Sequence, residues 1–551
     1  MLSSSRLALT LLACLPAASG AQRVPASSGG TAVIVMGAEP ATPVPTLLGL
    51  KSNNDVADLL YLRLARPGDV TLLTDERRYV PELARSWQRR DSLTLVFEMD
   101  PRARWHDGTP VTARDVVWSF ARMRDSTVDP QRSVLLRHLA SVRAEGSTVV
   151  FRFHRAYAEQ MYDAVWHVQP LPAHLVDTIP VARFASSAYV QRPIGNGPYR
   201  FVRRESGRQL DLAAVPDFFL GRPGIRRVVI LVARDPEAQI NLILDGTADL
   251  LEGLSPVSGP MRVAVNRDIR IVPVTSFTVG YLLFNQRAYG ERSRAHPILS
   301  DVAVRRAIAM ALDRTTLLRS AYGNFGALPN APVARPHWTS SHVPAGIRHD
   351  PDGARALLRS RGWVDTNRDG VLEKNGVPLA LRLNVIGSAA PRITMAPQIQ
   401  EQLRRVGIRV DLIRLDGPVW NERRNRGEFD LDFAAATMDP SPSGIVQSWT
   451  CAGRRGSNVG HYCNPGVDSL IERAISAPTP EPGRWREAYA RLQADVPAVF
   501  LYAPSIPVAV HTRFRHVTIR PESFYGDLWR WSVDPGRRLP RDGSGTGGAM
   551  P

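Results

Sequence analysis

Between residues 93 and 99, apolar Leu93, Leu95, Phe97 and Met99 alternate with Thr94, Val96 and Glu98. A period of two predicts a strand with one buried face. Pro101 ends it, and Asp107-Gly108 marks a tight turn. Thr112 then stands where a helix N-cap belongs, with Asp115 as its capping-box partner. Val116, Val117, Phe120 and Met123 recur at helical spacing. The unit is strand, turn, capped helix. His106 and Asp107 offer an acid–base pair within it, but the pattern favours a plain turn.

The same two periods organise the rest. Residues 31–37 predict a buried strand, and 53–65 a helix with Val56, Leu59, Leu60 and Leu64 on one face. Residues 142–153 predict a hairpin turned at Glu145-Gly146. Residues 161–168 are a short apolar segment, broken by Pro170 and Pro172. Strands are expected at 208–215 and 228–233, a helix at 236–245 and an apolar strand at 281–285. Residues 301–314 predict a helix with Val304, Ala307, Ile308, Ala311 and Leu312 inward, and Arg305 and Arg306 outward. Another helix has Asp350 as N-cap, Pro351 at its first position and Gly362 past its end. Strands at 377–385, 408–415 and 427–436 alternate with helices at 393–406 and 418–426. Helices at 466–475 and 484–494 precede two strands, 498–503 and 507–512. Such alternation assigns the α/β class. The segment 541–551 is of low complexity and predicted to be disordered.

Composition narrows the function. The chain has 551 residues, 44% hydrophobic and 22% charged, with a formal net charge of +17. That is ordinary for a soluble protein of about three or four domain-sized units. Lys51 and Lys374 are the only lysines, and the arginines are spread with no run longer than two. A nucleic-acid binder would gather its charge into a patch, so that class is set aside. A basic surface still suits anionic ligands or an anionic membrane face.

The N-terminus reads as an export signal, with Arg6 followed by an apolar stretch at 7–18 too short to span a bilayer. Two maturations stay open: cleavage after Ser19-Gly20-Ala21, or lipidation of Cys14 in Leu11-Leu12-Ala13-Cys14. Residues 27–30 suit a tether. Cys451 and Cys463 lie close together in CAGRRGSNVGHYC. In an oxidising compartment such thiols pair, and His461 alone does not complete a zinc site. In DTNRDGVLEKNG, residues Asp365, Asn367 and Asp369 match the start of a calcium loop, but Gly376 stands where the bidentate Glu belongs. A structural turn is favoured over a calcium site there. No cofactor is expected.

The block PELARSW, the alternating strand, then WHDGTPVTARDVVWSF resembles the signature of family 5 extracellular solute-binding proteins of peptide and nickel ABC importers, with Trp105 at a usual Phe. PIGNGPYRF at 193–201, PDFFLGRPGIRR at 216–227, GTADLL at 246–251 and DVAVRRAIAMALDR at 301–314 extend the resemblance. It implies the two-lobed, hinged periplasmic-binding-protein fold of type II with an inserted subdomain. The implied division is 1–21 signal, 22–50 start of lobe I, 51–189 insertion, 190–280 lobe I, 281–497 lobe II, 498–536 return to lobe I and 537–551 disordered tail. It further implies a monomeric, periplasmic or lipid-anchored receptor that performs no chemistry. Such a receptor holds a peptide or other small solute and hands it to a permease with ATPase subunits. The motifs G-x-S-x-G, H-E-x-x-H and S-x-x-K are absent, which argues against a hydrolase. A sensory role stays open.

The resemblance also points to cleft residues. The stretch 429–444 is similar to the family's strand into G-W-x-x-D-x-x-D-P, with Asp439-Pro440 as the final D-P. Thr437, Met438 and Asp439 are therefore expected at the solute, joined by Trp420, Tyr281 and Asn285. C-A-x-x-x-G-S-N…C resembles the disulfide loop of dipeptide-binding members, which implies a Cys451–Cys463 bond. In peptide-binding members the first Asp of the motif holds the peptide's amino group. The alignment puts Ala436 there, so a solute that does not use that contact is expected: a modified or N-blocked peptide, an oligosaccharide or another metabolite.

Overall fold

The computed structural model describes residues 29–47, 51–128, 133 and 135–543. The export signal, the Cys14 lipidation site and residues 544–551 lie outside the described residues. Around a 12-stranded sheet the chain builds two lobes. Its strands are β1 (Thr31–Met36), β2 (Tyr199–Glu205), β3 (Gln209–Ala214), β4 (Arg227–Val232), β5 (Leu250–Leu251), β6 (Ile269–Thr275), β7 (Thr278–Phe284), β8 (Gly326–Ala327), β9 (Ala380–Ile386), β10 (Arg409–Leu415), β11 (Leu431–Thr437) and β12 (Ala498–His511). Their order is β10-β9-β11-β7-β12-β5-β1-β4-β3-β2, with β6 and β8 also pairing β12. β1 is wholly buried, as expected for a parallel strand covered on both faces.

β12 belongs to both lobes. Its first half pairs β7 and β8, and its second half pairs β6 and β5. This corrects the expectation of two strands: Pro504 and Pro507 do not break the ladder between them. The chain crosses between lobes at Ser276 and Phe277, where the Ser276 amide donates to the Pro504 carbonyl at 3.2 Å.

The insertion carries a four-stranded antiparallel sheet in the order Ala84–Asp91, Thr94–Met99, Thr148–Phe153, Leu139–Glu145. The first of these strands was not expected from its charged sequence. The helix Ala113–Arg124 covers the sheet, and Asp115 Oδ2 accepts from the Thr112 amide at 2.8 Å, closing the expected cap. His106 and Asp107 do not form an acid–base pair. His106 Nδ1 accepts from the Gly195 amide at 3.1 Å, while Nε2 lies 3.0 Å from the Gly197 carbonyl. Burial pushes the ring down to about 4, so it stays neutral and clasps the 193–201 block. A side chain at Gly195 has no room, since a Cβ would sit 2.0 Å from the Leu60 carbonyl oxygen.

Two expectations fail for one reason. Arg305, expected outward, is 4% exposed. Its guanidinium donates to the carbonyls of Val496, Leu299 and Asp495, satisfying chain ends packed against the helix Val302–Ala311. The tail expected to be disordered from 537 includes an ordered turn, Pro540–Asp542. There Asp542 pairs with the fully buried Arg513 at 2.6 Å. In both places a buried polar group demands a partner that amphipathic spacing does not reveal.

Candidate solute-binding cleft

Strand direction defines the cleft. β1 runs parallel to β4 and β5, and β5 pairs antiparallel with Val510 and Ala509 of β12. The carboxyl ends of β1, β4 and β5 therefore head toward Ser505. β9, β10 and β11 are parallel, and Thr437 at the end of β11 faces Thr278. Their carboxyl ends head toward the same line from the other lobe. In open α/β sheets ligands bind outside such ends.

On this edge the structure places three of the expected residues. Thr437 is exposed, with its Oγ1 3.1 Å from Thr278 Oγ1. Met438 is half-buried, and its amide donates to the Phe277 carbonyl at 3.0 Å. Asp439 Oδ1 accepts from the Tyr162 hydroxyl at 2.6 Å and from the Ser441 amide at 2.9 Å. Burial pushes the Asp439 carboxyl up, against the charge of His167 and its two donors. Trp420, in the helix Gly417–Arg426 after β10, is half-buried and donates from Nε1 to Asp432 at 2.8 Å. The Arg424 guanidinium pairs with the same carboxylate at 3.0 Å.

Tyr281 and Asn285 are not brought to that edge. Tyr281 is packed edge-on against Trp449 and Phe500 in the lobe II core. Asn285 is fully buried, donating to the Gly427 and Phe429 carbonyls and accepting from the Arg287 amide. Both lie on β7 or beyond it, and β7 runs away from the hinge. These two site expectations are corrected: an apolar strand next to a crossover was read as lining the cleft when it fills the core.

What sequence reasoning missed is the opposite wall. The insertion reaches lobe II through Arg155 to Val165. Ala158 donates its amide to the Ala477 carbonyl at 2.9 Å, and Arg155 pairs with Glu472 at 2.6 Å. Glu159 accepts from Trp338 Nε1 at 2.9 Å and from the Ser441 hydroxyl. Asp163 accepts from the Tyr157 hydroxyl at 2.5 Å and lies 3.2 Å from His167 Nε2. Burial pushes Glu159 up to about 7, with the Asp163 and Asp439 charges adding to the shift. Val70, Leu73 and Tyr162 of the insertion share one core cluster with Phe277, Tyr281 and Trp449. Beside this contact, Arg137, His138, Glu159, Asp163, His167 and Gln447 line a recess of about 410 Å³. Apolar spacing at Met161, Tyr162 and Val165 hinted at burial, but nothing hinted at the partner.

The carboxylates of Asp365 and Asp369 accept backbone amides of Gly370 and Val371, and a short strand pair, Glu373–Lys374 with Val377–Pro378, follows. The sulfurs of Cys451 and Cys463 are 2.03 Å apart.

Known proteins share this architecture. The chain is similar to the oligopeptide-binding protein AppA of Bacillus subtilis, 24% identical over 494 residues that cover 87% of each chain. The structure of that protein in complex with a nonapeptide superposes with a TM-score of 0.76 at 23% identity, covering 92% of this chain and 99% of the other. A putative ABC transporter peptide-binding protein of Brucella ovis is 26% identical over 430 residues, 76% of this chain and 77% of that one. NikZ of Campylobacter jejuni in complex with Ni(L-His) has a TM-score of 0.73 at 21% identity, covering 91% and 99%. The family model described as bacterial extracellular solute-binding proteins, family 5 middle, matches residues 78–457, and the chain belongs to that family.

Proposed function

We propose that the protein is the extracytoplasmic receptor of an ABC importer, holding a peptide or peptide-like solute between its lobes. The convergence of parallel-strand carboxyl ends from both lobes on one hinge line carries this reading. The names of its relatives, oligopeptide-binding and ABC transporter peptide-binding proteins, support the solute class. Closing is a rigid-body movement about Ser276–Phe277 and Pro504. The closed form docks on a permease driven by ATPase subunits. The protein acts on the solute by capture alone.

A second reading rests on Ala436. It lies near the end of β11, paired with Val279, and has no carboxylate to offer an ammonium group. A buried ammonium without a counter-charge is costly. An N-blocked peptide or a non-peptide solute avoids the need. If a free amine is bound, Glu159, Asp163 and Asp439 are the carboxylates of the interlobe wall that answer it. Calorimetry with a di- to pentapeptide library, free and N-acetylated, tests both readings. Saturable binding without turnover supports the receptor. Indifference to acetylation favours the second solute class, and loss on acetylation removes it. Turnover of a bound peptide would overturn the receptor reading.

A further inference from the structure

Lobe II has a second basin at the far end of β7 from the hinge. Arg287, Arg292, Arg454 and His461, with Cys451 and Ala452, line an open space of about 970 Å³. Arg287 and Arg292 come from a hairpin of the strands Arg287–Ala288 and Glu291–Ala295. Arg454 and His461 come from the loop that Cys451 and Cys463 close. The two pieces are fixed to one another. The Gln286 amide donates to the Gly460 carbonyl at 3.0 Å. Gly460 lies so close to the end of β7 that a Cβ would be 2.8 Å from the Phe284 carbonyl oxygen.

Glu291 pairs with Arg294 at 2.8 Å and Glu428 with Arg426 at 3.7 Å, while Asp468 takes the Cys451 amide at 3.1 Å and its charge acts on Arg454 alone of the three guanidiniums. Arg454 Nε donates to the Cys451 carbonyl at 3.3 Å. His461 holds a backbone φ of 57°, strained for a residue with a side chain. Its Nε2 is sealed from solvent and has no hydrogen-bond partner. Burial, then the charges of Arg292, Arg287 and Arg454, push its ring down to about 4. Three guanidiniums thus act on one point, a convergence that an anion would relieve.

We infer that this basin binds a phosphoryl-type oxyanion, gripped by Arg287, Arg292 and Arg454 on a frame set by the disulfide loop. Planar guanidinium forks match the oxygens of such a group, and three of them match its charge. The source is free phosphate or the phosphodiester of an anionic lipid headgroup. The seven residues of β7 set the basin roughly 20 Å from the hinge. An anion there leaves the solute cleft open, so the inference stands apart from the identity of the solute.

The test is calorimetry of the full chain with inorganic phosphate at low ionic strength, with chloride as control. A parallel arm measures co-sedimentation with phosphatidylglycerol and phosphatidylcholine vesicles. The comparison is wild type against the double variant Arg287→Gln, Arg454→Gln, whose melting temperature without phosphate should stay unchanged. The expected result is one saturable phosphate per chain, weakened at least ten-fold in the variant. Sedimentation with phosphatidylglycerol alone, lost in the variant, would also uphold the site and assign its source to the headgroup. No binding in either arm, or equal binding by the variant, would overturn it.

Discussion

Two clusters of buried acids, one within lobe I and one at the lobe interface, are built on different rules. Behind the sheet, Arg513 lies between Asp249 and Asp542, all three sealed from solvent, with contacts of 2.8 and 2.6 Å. Arg541 adds a second cation at 2.7 Å from Asp249, and the remaining carboxylate oxygens take the Val33 and Thr31 amides. At the lobe interface, Glu159, Asp163 and Asp439 are held by Trp338, Ser441, Tyr157 and Tyr162, all uncharged donors, with His167 alongside. The first cluster compensates charge with charge and never needs to part. The second satisfies its hydrogen bonds with neutral donors, and the ion pair that does cross the interface, Arg155 with Glu472, is partly exposed on both sides, so water takes up its charges when the lobes part. A contact meant to open is better made this way, because breaking a buried ion pair is strongly destabilising.

Removing a member of each cluster should expose the contrast. Arg513→Met leaves Asp542 buried without a cation and Asp249 with Arg541 alone, and is expected to cost about 3–5 kcal/mol in urea unfolding. Glu159→Gln keeps an acceptor for Trp338 and a donor for Ser441, and should change stability by less than about 1 kcal/mol. Equal losses would erase the distinction. Between these extremes lies the loop of lobe II. Converting Cys451 and Cys463 to Ser should cost about 3 kcal/mol in the chain-entropy model for a loop with a sequence separation of 12. Free thiol at both positions in protein from the periplasm would refute the bond itself.

Smaller effects sharpen the interface. Tyr162→Phe removes the hydroxyl that donates to Asp439 but keeps the ring in the shared core. Stability should fall by about 1–2 kcal/mol, and affinity for whatever peptide binds should drop about ten-fold through a faster off-rate, read by surface plasmon resonance. An unchanged off-rate would detach this contact from closure.

Much of the fold was legible because it rests on local periods. The strand ending at Met99, the Thr112 cap, the helix after Asp350 and the alternation through lobe II are all short-range patterns. Of the expected cleft residues, Thr437, Met438 and Asp439 came from a motif and lie on the interlobe edge, whereas Trp420 came from its place on a helix and braces Asp432. Glu159 was not legible, because its partners Trp338 and Ser441 lie 179 and 282 residues away. Asn285 and Arg305 misled for the converse reason: each polar side chain completes backbone groups distant in sequence, and spacing alone reads such residues as ligands or surface.

The difference between the clusters also predicts a response to pH. Burial raises Glu159 to about 7 in the closed contact, while Asp163, Asp439, His138, His167, Arg137 and Tyr157 surround it. An acid whose pKa is raised on closure favours the closed form when protonated. That contribution is complete below the usual glutamate range and is lost as pH rises through about 7. Asp55 and Glu522 are also raised to about 7, but both belong to lobe I; Asp439, raised by burial too, shares the interface, so Glu159→Gln removes one of two proton-linked acids there. The most direct measurement is the radius of gyration by small-angle scattering from pH 5 to 9, for wild type and Glu159→Gln. The wild type should expand as pH passes about 7, and Glu159→Gln should expand less. An expansion identical in both, or none in the wild type, would contradict the account of the interlobe cluster as a separable, proton-linked contact.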